Sequence, residues 1–358
     1  MTDARPAEYG ATERREMLTF VGTGSEYFRI WIVNLLLTLI TIGLYSPWAK
    51  VRKLRYIYGS TALAGGRFDY HADPVRILWG RLIALAVFGA AGFAQAVFPP
   101  FAPLVTLLFL LGVPFLVVRA RMFNMRYTSY RNVRFGFDRA YAAAYSAIYL
   151  YGFLAALTLG LLIPYAHYRR NRFIVDNTRY GTLPWRMQEG SWPFFFAYGL
   201  AFLVGSFIIF PLAGYIGLTL QAPAGSADPN VRMASSLLFA AILIGGYIAS
   251  FFLSAAVLKA TINASGVGGE GAARPPYRLG CDWSLNTVLF IYVTNAAAIV
   301  LSAGLLIPWA QMRVLRYQLN RTWVDTAQSL ETVAAAEAEE VSAIGEELGD
   351  VFDVDIGL

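Results

Sequence analysis

The sequence predicts an all-α polytopic membrane protein of about seven hydrophobic helices, ordered by a threefold internal repeat and carrying short strand-like cytoplasmic segments. Three observations predict it. The 358-residue chain is 57% hydrophobic and only 15% charged, where soluble domains carry about 25% charged residues. Its apolar residues fall into runs of membrane-crossing length, because a helix rising about 1.5 Å per residue needs roughly 20 residues to cross the hydrocarbon core. One segment also recurs three times with fixed spacing, the mark of a repeat architecture.

The seven runs are Ile30–Ala49, Leu78–Phe98, Phe101–Val118, Ala140–Pro164, Pro193–Leu220, Met233–Leu258 and Leu285–Ala310. Six hold no Asp, Glu, Lys, Arg or His; the other carries Arg81 in its first turn, where a long side chain snorkels to the interface. Trp31, Tyr45, Trp48, Trp79, Trp192 and Trp309 sit near run ends, as an aromatic belt would. The first 27 residues are polar, with Arg5, Arg14 and Arg15, and lack the apolar centre of a cleavable signal. The first run is therefore expected to serve as the targeting signal. Cys281 is the only cysteine, which excludes an intramolecular disulfide and a cysteine-based metal site. With His71 and His167 far apart in sequence, no metal or other cofactor is expected.

The repeat organises the chain. Gly43-Leu-Tyr-Ser-Pro47-Trp48-Ala49-Lys-Val-Arg52-Lys-Leu-Arg55-Tyr56 returns as Gly160-Leu-Leu-Ile-Pro164-Tyr165-Ala166-His-Tyr-Arg169-Arg-Asn-Arg172-Phe173 and as Gly304-Leu-Leu-Ile-Pro308-Trp309-Ala310-Gln-Met-Arg313-Val-Leu-Arg316-Tyr317. Thr61, Thr178 and Thr322 each follow the closing aromatic by five residues, and Gly22, Gly136 and Gly280 each end a strand-like stretch upstream. Proline cannot continue a helix without losing a hydrogen bond, so a break or bend is expected at Pro47-Trp48, Pro164-Tyr165 and Pro308-Trp309. The paired arginines, three apart, share a helix face. Arg52, Arg55, Arg169, Arg172, Arg313 and Arg316 are the candidate ligands for lipid phosphate or another anion; the plainer reading is a stop signal that ends each membrane helix in cytoplasmic arginines. Two apolar runs follow the first copy and two the second, which gives a 3+3+1 order. Residues 1–17 form a polar N-terminal segment, 18–325 the membrane domain with units at about 18–131, 132–276 and 277–325, and 326–358 an acidic tail.

Orientation meets a conflict. Lys and Arg crowd the segments after runs one, three and four, so the fourth run is strongly basic at both ends, although such residues should gather on the cytoplasmic side. Seven crossings is the expectation, with some basic loops facing outward. The alternative keeps the three motif-bearing runs re-entrant and lets only the four between them span. The tail carries nine acidic residues and no Lys, Arg or His, which leaves +15 on the rest of a chain whose net charge is +6. It reads as a solvated segment or as a contact for a protein partner.

The stretch Glu26–Thr38, running on to Tyr45-Ser46-Pro47-Trp48-Ala49-Lys50-Val51-Arg52, resembles the most recognisable block of the YjgN family of bacterial inner-membrane proteins, a domain of unknown function. The resemblance covers about residues 18–325 and leaves out the tail. It implies a multi-pass location in the bacterial inner membrane and no particular activity.

Three functions follow as expectations. Transport of a small or anionic solute suits repeated membrane units, although no charged residue lies deep in a run to couple an ion. Asn34 and Asn295, each thirteen residues ahead of the motif proline where copy two has Tyr151, read more simply as glue between helices. The second is a membrane scaffold or anionic-lipid-binding protein with membrane lipids as partners and no nucleic acid. A membrane-embedded enzyme is the least supported, because no Ser-His-Asp order, His-Glu-x-x-His, paired intramembrane aspartates or phosphate loop is present. No catalytic residue is expected, and the Gly266–Gly269 cluster reads as linker.

Overall fold

The computed structural model describes residues 14–220, 229–268 and 276–326. The extreme N-terminus, the greater part of the 221–232 loop and the acidic tail lie outside the described residues, so the readings made for them are not placed.

The strand-like stretches are strands, and they find one another across the whole chain. In order they are β1 (Arg14–Phe20), β2 (Thr61–Leu63), β3 (Gly66–Tyr70), β4 (Thr128–Tyr130), β5 (Val133–Phe137), β6 (Thr178–Tyr180), β7 (Leu183–Met187), β8 (Ser265–Val267), β9 (Tyr277–Cys281) and β10 (Thr322–Thr326). Each pairs antiparallel with its sequence neighbours, and β1 closes the circle by pairing with both β2 and β10. Two-residue turns join β2 to β3 and β4 to β5. Ala64 and Gly65, like Arg131 and Asn132, all have positive φ, the twist such tight hairpins favour.

The helices are α1 (Gly24–Ile40), α2 (Ser46–Gly59), α3 (Pro74–Val97), α4 (Ala102–Arg126), α5 (Tyr141–Tyr145), α6 (Tyr151–Leu157), α7 (Ile163–Asp176), α8 (Trp192–Leu220), α9 (Pro229–Asn263), α10 (Leu285–Leu301) and α11 (Ile307–Leu319). A π-helical turn, Ser146–Leu150, joins α5 to α6. They leave the barrel and return to it in pairs. Phe20 at the end of β1 faces Thr61 at the start of β2, and the same relation joins Tyr70 to Thr128, Phe137 to Thr178, Met187 to Ser265 and Cys281 to Thr322. All the helical excursions therefore rise from one rim, and the tight turns lie at the other. The returning helix of each unit packs on the outgoing helix of the next: α2 on α3, α4 on α5, α7 on α8, α9 on α10 and α11 on α1.

This corrects the expected fold class. The protein is not an all-α bundle of about seven membrane helices in 3+3+1 order; it is a closed ten-stranded barrel crowned by helical hairpins. The physical reason is strand pairing across each motif-bearing run. β1 and β2 flank the first run, β5 and β6 the second, β9 and β10 the third, yet in the barrel the two flanks of the first and second are hydrogen-bonded neighbours and so are those of the third. A run whose two ends share one sheet cannot be a single crossing. Among the described residues, two helical segments are long and apolar enough to cross a membrane, Pro74–Val97 and Pro99–Arg126. α8 and α9 run for 29 and 35 residues.

The barrel is packed rather than hollow. Strand side chains alternate between faces. Leu63, Tyr130, Val133, Tyr180, Val267, Tyr277 and Val324 form one buried cluster, with Leu18, Phe68, Phe135, Trp185 and Leu279 packed against it. The alternate positions carry Arg15, Arg67, Asp69, Arg134, Arg179, Arg186, Arg278 and Asp325. Arg15 lies over the Trp323 ring and donates to Asp325 at 2.8 Å; Arg179 pairs with Asp138 at 2.7 Å. Membrane-spanning barrels show the reverse, an apolar outer band on strands of about 9–11 residues. Strands of three to seven residues with a charged outer face do not have that pattern.

The rim shows the true repeat. Thr61, Thr128, Thr178, Ser265 and Thr322 are all buried. Each hydroxyl donates to the carbonyl four residues earlier, on Ile57, Asn124, Ile174, Thr261 and Gln318, at 2.6–2.9 Å. The threonine after each motif is one member of a ring that also includes the two units without the Gly-Leu-x-x-Pro turn. The upstream glycines, by contrast, are not equivalent: Gly136 and Gly280 lie inside strands, one residue before the rim, whereas Gly22 follows β1.

Candidate lipid-facing site

The three motif copies build three short hairpins that share one turn. α1 ends at Ile40 and α2 begins at Ser46; α6 ends at Leu157 and α7 begins at Ile163; α10 ends at Leu301 and α11 begins at Ile307. The chain reverses on the pairs Ile42-Gly43, Leu159-Gly160 and Ala303-Gly304, all with positive φ. Such a backbone is costly for any residue but glycine, which explains the invariant glycine at the second place. Pro47, Pro164 and Pro308 then occupy the first turn of the returning helix, where a missing N–H costs nothing. The aromatic beside each proline follows it into that helix.

Each tip seals its own backbone. The glycine N–H reaches back five residues, Gly43 to Thr38, Gly160 to Ala155 and Gly304 to Ile299, at 2.7–2.8 Å. A hydroxyl two residues before the glycine does the rest. Thr41 donates to the Leu37 carbonyl at 2.7 Å and accepts from the Tyr45 N–H at 3.0 Å. Thr158 does the same with Leu154 and Leu162, and Ser302 with Ile299 and Leu306. The tip side chains are bare: Ile42 is 95% exposed and Leu159 98%, and Ala303 is exposed at the third tip. Apolar side chains fully exposed over a self-satisfied backbone are what a turn needs inside hydrocarbon, where no water completes a hydrogen bond. The motif is thus [Thr/Ser]-x-Gly-Leu-x-x-Pro. The sequence reading missed the hydroxyl at its head, although position and residue type were both visible.

Between the limbs, the asparagines act as expected of glue. Asn34 donates to the Ala49 carbonyl at 3.4 Å and Asn295 to that of Ala310 at 3.1 Å. In copy two Tyr151 packs edge-on against Tyr165 instead.

The six candidate arginines divide by position. The second of each pair grips the next unit of the barrel. Arg55 donates to the Tyr70 and Ala72 carbonyls, both at 3.2 Å, and Arg316 donates to that of Gly22 at 2.7 Å. Ala72 and Gly22 each lie two residues past a strand end. Arg172 makes the link through Asp176, which it reaches at 3.1 Å and which accepts from the Met187 N–H at 2.8 Å. The first arginine of each pair folds back on its own hairpin: Arg52 to the Tyr45 hydroxyl at 3.3 Å, Arg169 over the Tyr151 ring at 4.6 Å, and Arg313 to Thr294 and Asn295 at 2.8 and 3.2 Å.

Arg313 and Arg316 come together in one groove of about 720 Å³, where Arg321, Trp309 and Tyr317 also line the wall. It runs along α10 and α11, with the first turn of α1 at Gly24 on its edge. The close approach there needs Gly24, because a Cβ would sit 2.3 Å from the Trp309 indole. Phe28 packs on the same indole with centroids 4.8 Å apart. The copy-one and copy-two arginines do not line this groove.

No group of His, Cys, Asp and Glu among the described residues is arranged to hold a metal. His71 meets the Ser129 hydroxyl and His167 that of Tyr198, both at 2.8 Å. Cys281 is buried at the rim, and burial pushes its thiol up to about 12, so it stays protonated and unreactive at neutral pH.

The family model described as "Bacterial protein of unknown function (DUF898)" matches residues 15–351, a range that takes in the barrel, every helix and much of the tail. Inner membrane protein YjgN of Escherichia coli O157:H7 is 30% identical over 142 residues, 39% of this chain and 36% of that protein. Inner membrane protein YjgN of Salmonella typhimurium strain LT2 is 33% identical over 127 residues, 34% of this chain and 31% of that protein. The matched segment thus spans about a third of the length of these relatives. No solved structure matches the chain. The match over nearly the whole length places the chain in the bacterial DUF898 family, that of the inner membrane protein YjgN.

Proposed function

We propose that the chain is a multi-pass protein of the bacterial inner membrane that binds anionic lipid in the cytoplasmic leaflet. In this reading the hairpins α3–α4 and α8–α9 cross the bilayer and return. The three short hairpins enter from the same side and stop within it, since α1 and α10, at 17 residues each, rise only about 25 Å against a core about 30 Å thick. The barrel then sits in the cytoplasm, and every basic stretch joins it there. That arrangement removes the conflict over charge, because the inside face is the one that should be basic.

The observation that carries the lipid reading is the groove where Arg313, Arg316 and Arg321 meet Trp309 and Tyr317 beside an inserted hairpin. Guanidinium donates two parallel bonds to phosphate, and indole suits the headgroup level. Transport of a small or anionic solute would need a route around the barrel, whose axis is filled by Tyr130, Tyr180 and their neighbours. The test is the double variant Arg313→Gln, Arg321→Gln, which leaves the clamping Arg316 in place. Each cation near an anionic surface contributes about 1 kcal/mol, so losing two should weaken binding of an acidic phospholipid about 30-fold. Native mass spectrometry of retained lipid reads it. Equal retention by wild type and variant would end the proposal.

A further inference from the structure

A second cavity, of about 460 Å³, lies elsewhere in the crown. It touches Lys53 of α2, Phe251 of α9, and α10 and α11. In the ring of helices α1 stands between α11 and α2, yet α1 contributes nothing to the lining. A space that reaches α2 past α1 lies on the axial side of the crown, beneath the barrel, and not on the outer face where the lipid groove runs.

Its polarity is one-ended. Ile299 and Ile307 line it near the hairpin tip; Val314, Leu315 and Ile57 line it toward the barrel, with Lys53 among them. Lys53 and Gln311 are half-buried, and no hydrogen bond or ion pair joins either to another described residue. Asn295 is already engaged, donating to Ala310 and accepting from Arg313. Among the described residues, no acidic side chain lines the space. A half-buried ammonium with no counter-charge among the described residues is costly, and the walls around it are mostly apolar. One ligand answers both: an anion at the Lys53 end with a hydrocarbon chain toward the tips. The volume is that of a ligand pocket. At about 30 Å³ for each water-sized group, it holds roughly fifteen such groups, the size of one acyl chain and not two.

We propose that this axial cavity binds a single-chain anionic amphiphile, its carboxylate or phosphate head on Lys53 and Gln311 and its chain against α10 and α11. The site is separate from the lipid groove and does not depend on it. The probe is a fluorescent polyene fatty acid, titrated into the full chain in nanodiscs of zwitterionic lipid. Saturable binding is expected, displaced by a long-chain fatty acid or by a long-chain alkyl phosphate; which of the two is stronger identifies the head, and the fatty-acid methyl ester does not displace the probe. Lys53→Met should weaken binding at least tenfold and Lys53→Arg by no more than a few-fold. Ala296→Phe, which fills the chamber and leaves the charge, should abolish it. Arg321→Gln, which lines the groove and not the cavity, should leave it unchanged, so the groove and the cavity are tested apart. Absence of saturable binding by the wild type, displacement by the methyl ester, or unchanged affinity in Lys53→Met overturns the proposal.

Discussion

Tyr130→Ala will lower the stability of the barrel by about 3–5 kcal/mol, the largest single effect expected in the molecule. Large-to-small changes in a packed core lose transfer energy and leave a cavity. Tyr130 is 4% exposed and sits at the centre of the barrel cluster, with its ring 4.8 Å from that of Phe68. Its hydroxyl donates to the Leu63 carbonyl at 2.7 Å and accepts from Arg131 at 3.1 Å. Tyr180 repeats the arrangement one unit on, donating to the Tyr130 carbonyl at 3.1 Å. Tyr130→Phe removes only the hydroxyl and should cost about 1–3 kcal/mol, because the buried Leu63 carbonyl loses its partner. Denaturant midpoints in nanodiscs would rank wild type above Tyr130→Phe above Tyr130→Ala. A neutral Tyr130→Ala would mean the barrel core does not hold the fold together.

The second large effect belongs to a residue that touches almost nothing. Leu159→Asp will destabilise the inserted protein by about 3 kcal/mol, the cost of a charge near the bilayer centre. Leu159 is 98% exposed, and such a change on a watery surface stays within about 0.5 kcal/mol. The two environments therefore predict different numbers for one substitution. Leu159→Phe, apolar and larger, should be neutral. The comparison is again the unfolding midpoint in nanodiscs, and a Leu159→Asp protein as stable as wild type would place the tip in water.

Much of this was legible in the residues. The apolar runs, the three motifs, the strand-like stretches and the family were all readable, and the asparagine pairing was anticipated. Three things were not. The barrel was hidden because β2, β4, β6 and β8 have only three residues each and because Arg15 and Asp325 meet across almost the whole chain; no local pattern announces such a pairing. The unit count was hidden because the second and fourth units lack the glycine turn of the signature: the second keeps Pro114, Phe115, Arg119 and Phe123 ahead of Thr128 at the motif's spacing, and the fourth only Lys259 ahead of Ser265. The hairpin tips were hidden because apolar composition runs unbroken through Ile42, Leu159 and Ala303, so a reversal within the run looks like a continuous span. Gly43, Gly160 and Gly304 were the available signal; the prolines lie four residues beyond the turn glycines. The second arginine of each motif has a structural contact that the spacing does not show: Arg55 and Arg316 each donate to the backbone of the next unit.

The central claim is that each motif-bearing run turns back, so that the two strands flanking it lie on one side of the membrane. Cysteines placed singly at Arg134 and Arg179 test it, since β5 and β6 flank the second run. The background is Cys281→Ala, although the native thiol should be silent because burial keeps it protonated. Phe101→Cys, in the turn between α3 and α4, supplies the opposite side. With a membrane-impermeant maleimide on intact cells, Phe101→Cys should label, while Arg134→Cys and Arg179→Cys should both label only after permeabilisation. Labelling of Arg134→Cys and Arg179→Cys from opposite sides would show that the run crosses the bilayer and would contradict the barrel itself.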